Sequence, residues 1–202
     1  VTNSTWKKAQ AWELDWHNNC VNSYFEEQKQ LEYAKLMGLE TSPTHKTPYN
    51  FDLEGKSVLD IGGGAYSLLL KCVNFKEAVV IDPLMDKYPE WVRQRYKTHK
   101  VIALAHACEV LSIESTYDES WFYNVLGHTY NPEKVVKNAL RIGKIVRVFE
   151  WLNTLPNIGH PQTLTEENMN KWLGGEGKIT TSKRGNMMAT SYSGIFKGDH
   201  FV

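Results

Sequence analysis

Ser57-Val58-Leu59-Asp60-Ile61-Gly62-Gly63-Gly64 is a short apolar run that ends in three consecutive glycines. A strand running into glycines lets the backbone approach a ligand closely. The following Ala65, Tyr66 and Ser67 read as the entry to a helix whose free N–H groups face the bend. Twenty-two residues beyond Asp60, at the end of the next apolar run, stands Asp82, where an acidic side chain grips the two hydroxyls of an adenosine ribose. Together these features point to an adenosine-containing cofactor. A P-loop is excluded, because no Gly-Lys-Ser/Thr follows the glycines.

Charge selects among such cofactors. A dinucleotide lays an anionic pyrophosphate over the glycines, and a carboxylate two positions earlier repels it. S-adenosylmethionine instead brings an ammonium and a sulfonium to the turn, for which Asp60 is a favourable neighbour. Ser67 at the third small position of a GxGxxG pattern is a minor departure in the same direction.

Outward from the bend, short apolar runs alternate with helical patterns. The runs are Ser57 to Ile61, Ala78 to Ile81, Val101 to Leu104, Trp121 to Val125 and Ile145 to Phe149, with helices in the gaps. The clearest helix is 132–142, with Asn131 as N-cap, Pro132 at its first position and Gly143 just past its end. Such alternation predicts an α/β fold, a parallel sheet covered on both faces. Thr163 and Glu166 form a capping box for a helix ending at Gly174, and 178–197 reads as a closing hairpin that turns near Arg184, Gly185 and Asn186.

Toward the amino terminus, Trp6, Ala9, Trp12, Trp16, Cys20 and Tyr24 recur at intervals of three or four, an aromatic stripe on a helix. With Ser23 and Glu26 as a capping box, the pattern predicts helices at 5–19 and 24–37, a kink near Asn22, a stop at Gly38 and a connecting loop from Thr41 to Asn50.

The chain has 202 residues, enough for one ordinary domain. Lys plus Arg and Asp plus Glu balance at 23 each, so no global field draws the protein to nucleic acid or anionic lipid. Cys20, Cys72 and Cys108 form no CxxC pair, which fits a reducing, cytoplasmic setting better than a disulfide framework or a zinc site. No stretch approaches the roughly 18 apolar residues of a membrane span. The first residue is Val rather than Met, so a trimmed leader stays open.

From residue 52 to 150 the sequence resembles the class I S-adenosylmethionine-dependent methyltransferases, particularly small single-domain ones. Leu59, Asp60, Ile61, Gly62, Gly63 and Gly64 match the family's first motif, which wraps the methionine moiety, and Asp82 matches its ribose-binding acid. Ala107, Cys108 and Glu109 lie where the family often has Asp-Ala-Glu beside adenine, so without the Asp adenine recognition rests here on backbone and on apolar packing at Cys108. Asp118 to His128 resembles the fourth motif, with Asn124 and Val125 facing the cofactor. The resemblance implies a Rossmann-like, mostly parallel sheet of seven strands with a reversed final strand. It also implies an amino-terminal helical lid and linker over 1–50, in which Trp12 and Trp16 either pack as core, the commoner use of such a stripe, or meet the cofactor's cation, and a methyltransferase core over 51–202.

Methyl transfer is an in-line displacement in which positioning does most of the work. For a hydroxyl acceptor a general base helps; His128 is the best placed, followed by Tyr130, Glu150 and His160. The residues carry neither the Asn/Asp-Pro-Pro-aromatic run of base-amino methyltransferases nor a Pro-Cys nucleophile pair, so the expected partner is a small-molecule or saccharide-like acceptor methylated on O or N, with nucleic acid disfavoured and oligomeric state open. Two other readings remain at this point: an NAD(P)-dependent reductase, and a module that binds S-adenosylmethionine without turnover.

Overall fold

A computed structural model of the chain describes residues 1–20, 24–41, 51–111, 116–185 and 187–199. Two helices come first, α1 (Asn3–Cys20) and α2 (Tyr24–Leu36). Gly38 follows α2 at φ +74°, the left-handed conformation that stops a helix. The expected Ser23 cap and the kink at Asn22 lie outside the described residues, as does the loop 42–50.

The core is a seven-stranded sheet built from β2 (Ser57–Ile61), β4 (Glu77–Ile81), β5 (Ile102–Leu104), β6 (Tyr117–Tyr123), β7 (Gly143–Leu152), β8 (Lys178–Arg184) and β9 (Met187–Lys197). Their order is β5-β4-β2-β6-β7-β9-β8. Pairings among the first five are parallel, and β9 runs antiparallel to both β7 and β8. The expected α/β sheet with a terminal hairpin is therefore present, with β9 inserted beside β7 and β8 at the edge. A separate parallel pair joins β1 (Phe51–Asp52) to β3 (Cys72–Val73).

Two apolar clusters cover the sheet. One gathers Tyr33, Met37, Val58, Leu68, Tyr96, Trp121 and Phe149 beneath α2 and α3 (Glu90–Thr98). The other gathers Leu59, Phe122, Val136, Leu140 and Met169 beneath α4 (Pro132–Ile142) and α5 (Glu166–Leu173). Arg147 of β7 binds the buried Glu119 of β6 and donates to the Met37 carbonyl at 2.9 Å, which ties the end of α2 to the sheet.

Three local expectations change. The helix after the glycines is only a 3₁₀ turn, Leu68–Lys71, because Leu68 and Leu69 are both buried and leave no polar face for an amphipathic helix. β6 begins at Tyr117 rather than Trp121. The polar Asp118 and Glu119 fit in a strand because Ser57 and Lys144 bind the first and Arg147 and Trp121 the second. The strand also stops before Val125, since Asn124 takes φ +53°. Finally, α5 is capped by Thr165, whose hydroxyl accepts from Asn168 N, while Thr163 donates instead to the Thr154 carbonyl.

Candidate active site at the carboxyl end of the sheet

The strand order reverses between β2 and β6, and such a switch point opens a crevice beyond the strands' carboxyl ends. Gly62 follows β2, Asp82 follows β4, Ala107 and Cys108 follow β5, and Asn124 follows β6. All five line one cavity. Gly62 and Gly64 both have positive φ, at +72° and +64°. A Cβ at Gly62 would stand 2.7 Å from Val125 Cγ1, so only glycine fits where β2 meets the loop after β6.

Asp82 is buried and caps two backbone groups. Its Oδ2 accepts from Gly64 N at 3.1 Å and its Oδ1 from Leu84 N at 2.8 Å. These bonds fix the carboxylate against the glycine bend and leave lone pairs for hydroxyl donors. Burial raises its pKa, against the pull of those N–H groups. Cys108 is equally buried and its thiol is pushed up to about 12 by that burial, so it packs as an apolar wall.

Asp60 is placed differently from the sequence expectation. It is wholly buried, lines neither this cavity nor the neighbouring one, and its Oδ2 accepts from the hydroxyls of Tyr123 and Ser67. Burial pushes its pKa up to about 7. The group expected to greet a cation sits behind the bend, joining β2 to β6.

The carboxylate that does enter the cavity is one the aromatic stripe concealed. Glu13 lies on α1, one position after Trp12, and the inward positions of that helix run Trp6, Ala9, Gln10, Glu13 and His17. Glu13 Oε1 is 3.2 Å from His17 Nε2, and Oε2 is 3.1 Å from His128 Nδ1. The second contact is poorly aligned for a hydrogen bond, so it is chiefly an attraction of charges. Burial acts to raise the Glu13 pKa, yet the two histidines outweigh it and hold the carboxyl well below its usual range. The spacing of Glu13 and His17, one helical turn apart, was the available signal.

His128 is buried in the cavity wall. Burial acts to lower its pKa, but Glu13, Glu150 and the Gly159 backbone together raise it. His160 stacks on it with ring centroids 4.0 Å apart, and burial plus the His128 charge bring His160 down to about 4. Glu150 accepts from Val125 N and Leu126 N, and burial raises it to about 7. Tyr130 is not brought to the enclosed cavity; it is exposed and meets Trp6 edge-on at a shallow outer depression. Of the tryptophans, Trp6 lines the cavity, whereas Trp12 packs on Gly159 and Trp16 carries the Lys29 ammonium 4.7 Å from its ring.

A second cavity of about 390 Å³ adjoins the first, lined by Tyr33 of α2 and by Gly62, Gly63 and Gly64 among others. Glu13, His17, Gly62 and Asn124 are common to both cavities. Among the described residues no group of three or more His, Cys, Asp or Glu side chains is arranged to hold a metal ion.

Sheet order, glycine bend and acid at the end of β4 together define the class I methyltransferase fold. Solved structures sharing it include the N-methyltransferase NodS from Bradyrhizobium japonicum, at TM-score 0.59 and 14% identity over 98% of this chain and 100% of that one. The [4+2]-cyclase SpnF is similar at TM-score 0.63 and 12% identity over 96% and 97%. Magnesium protoporphyrin IX methyltransferase from Synechocystis, solved with S-adenosylhomocysteine, matches at 0.60 and 13% over 86% and 84%. No family model matches the chain, and no curated protein matches its sequence significantly.

Proposed function

We propose that the protein is an S-adenosylmethionine-dependent methyltransferase acting on an oxygen or nitrogen of a small-molecule or saccharide-like acceptor. The observation that carries this reading is the pair of joined cavities at the glycine bend, where Gly64 N holds the buried carboxylate of Asp82 in place. The donor set suits the cofactor: Asp82 for the ribose hydroxyls, Ala107, Cys108 and Leu84 for the adenine, Gly62 to Gly64 with Asn124 for the amino-acid tail. Gln10 Oε1 is a buried polar atom on the cavity wall without a hydrogen-bond partner in the protein, while Glu13 Oε2 and His128 Nδ1 meet only each other, as an ion pair at 3.1 Å, and buried polar atoms left open in this way are ordinarily matched by a ligand or water.

When bound, the cofactor supplies an electrophilic methyl group on a positively charged sulfur. The chain's part is to hold the acceptor in line with it, exclude water and take a proton. In-line positioning alone supplies on the order of 7–11 kcal/mol. Residues 1–50 act as the lid: α1 crosses the cavity mouth, with Trp6 and Gln10 as walls. His128 is the acid–base group on the acceptor side, and His160 and Glu150 tune its charge.

Fold alone does not settle the chemistry, as the cyclase among the similar structures illustrates. Calorimetry with S-adenosylhomocysteine and NAD side by side tests the cofactor, and methyl release with candidate acceptors tests turnover. The expected result is saturable binding of the homocysteine derivative and none of NAD; the reverse defeats the reading.

A further inference from the structure

Building on that reading, we propose that Glu13, on the lid helix, is the carboxylate facing the cofactor's sulfonium and sets a preference for the charged cofactor over its uncharged product. The argument is positional. Ala107 and Cys108, on the adenine side, belong only to the first cavity, and Gly63 and Tyr33 only to the second. A ligand with adenosine at one end and an amino-acid tail at the other has its sulfur in the middle, at the four residues the cavities share. Of Glu13, His17, Gly62 and Asn124, Glu13 alone carries a negative charge.

Asp60 does not compete for this role, because its carboxylate lies behind the bend among Ser67 and Tyr123. Glu13 Oε2 is buried, has no hydrogen-bond partner in the protein and points to the side of the cavity where His128 stands. His17 and His128 flank the carboxylate from α1 and from the turn after β6, and His160 and Glu150 pack behind His128. Charge attraction in a partly dry site is stronger than in water. It is present while the sulfur carries its methyl group and absent once the methyl has gone, so Glu13 favours binding before the reaction and release after it.

The test is calorimetric, at pH 7.5, with S-adenosylmethionine and S-adenosylhomocysteine titrated into the wild-type protein, Glu13→Gln and His128→Gln. The wild type is expected to hold the charged ligand at least about tenfold more tightly. Glu13→Gln brings the ratio of dissociation constants to about one, through weaker binding of the charged ligand. His128→Gln acts in the opposite direction, since it leaves the Glu13 charge less neutralised, and widens the ratio by about threefold or more. A purely structural role for Glu13 weakens both ligands by the same factor; that result, or an unchanged ratio in either variant, overturns the proposal. Failure of the wild type to bind either ligand defeats the functional reading instead, and is told apart by the NAD titration.

Discussion

The Tyr123 hydroxyl donates to Asp60 Oδ2 at 2.6 Å and itself accepts from Leu68 N at 2.9 Å. This one phenol therefore links the ends of β6 and β2 to the turn beyond the glycines. Removing it leaves a buried carboxylate oxygen with one donor fewer and a buried N–H with none. Tyr123→Phe is expected to cost about 1–3 kcal/mol, read as a lower thermal midpoint at pH 7. A midpoint equal to the wild type's would show that the linkage is not stabilising.

Stability is expected to fall as pH rises from 5 to 7.5. Asp60 and Glu150 are both pushed up to about 7 by burial, so the native state keeps protons that the unfolded chain has already released. Each makes the fold less stable as the pH climbs through its native value. His128 adds to the slope: its pKa is raised, so its contribution is complete below about 6.5 and is lost above the native value. Glu13 opposes this only in acid, because its depressed pKa contributes above about 4.5 and is lost as pH falls. The combined loss is of the order of a few kcal/mol. Asp60→Asn, which keeps an acceptor for Ser67 and Tyr123, should flatten the slope; a thermal midpoint that rises between pH 5 and 7.5 would contradict the argument.

The lid's seating depends on Gly64. A Cβ there would stand 2.8 Å from His17 Cε1, at a φ of +64° that side chains resist. Gly64→Ala is expected to cost about 1–3 kcal/mol and to push α1 away from the bend. Hydrogen exchange across residues 3–20 should quicken while exchange in β2 and β6 stays slow. Uniform acceleration in all three would mean that the bend supports the whole sheet rather than the lid.

What the sequence conveyed was what is local. Gly62 to Gly64 after an apolar run, Asp82 at the end of the next, and Asn131-Pro132 before α4 each state their geometry within a few residues, and the structure places them as expected. The fate of Asp60 was not legible, because its partners Ser67 and Tyr123 decide which way it faces, and the second lies 63 residues away. Glu13 was hidden for a related reason. The tryptophans around it set the helical period, and its partner His128 comes from the turn after β6, far along the chain. The 3₁₀ turn at Leu68–Lys71 replaced an expected helix because its burial on both sides is a property of the packed sheet.

Acid–base chemistry at His128 makes the sharpest kinetic prediction. Burial acts to lower its pKa, but Glu13 and Glu150 raise it, so the imidazole keeps its proton to a higher pH than a free one and takes an acceptor's proton only above its raised value. For a hydroxyl acceptor, kcat/KM should therefore rise with pH on a limb centred above about 6.5. Glu13→Gln removes the main charge that raises this pKa, and the limb should move to lower pH, even as binding of the charged cofactor weakens. His128→Asn should abolish the limb and lower the rate by about 10²–10⁴-fold. A profile that keeps its limb in His128→Asn assigns the proton to another group. A profile already flat in the wild type means that the acceptor needs no base, as an amine that is neutral at working pH would not, and that positioning alone carries the reaction.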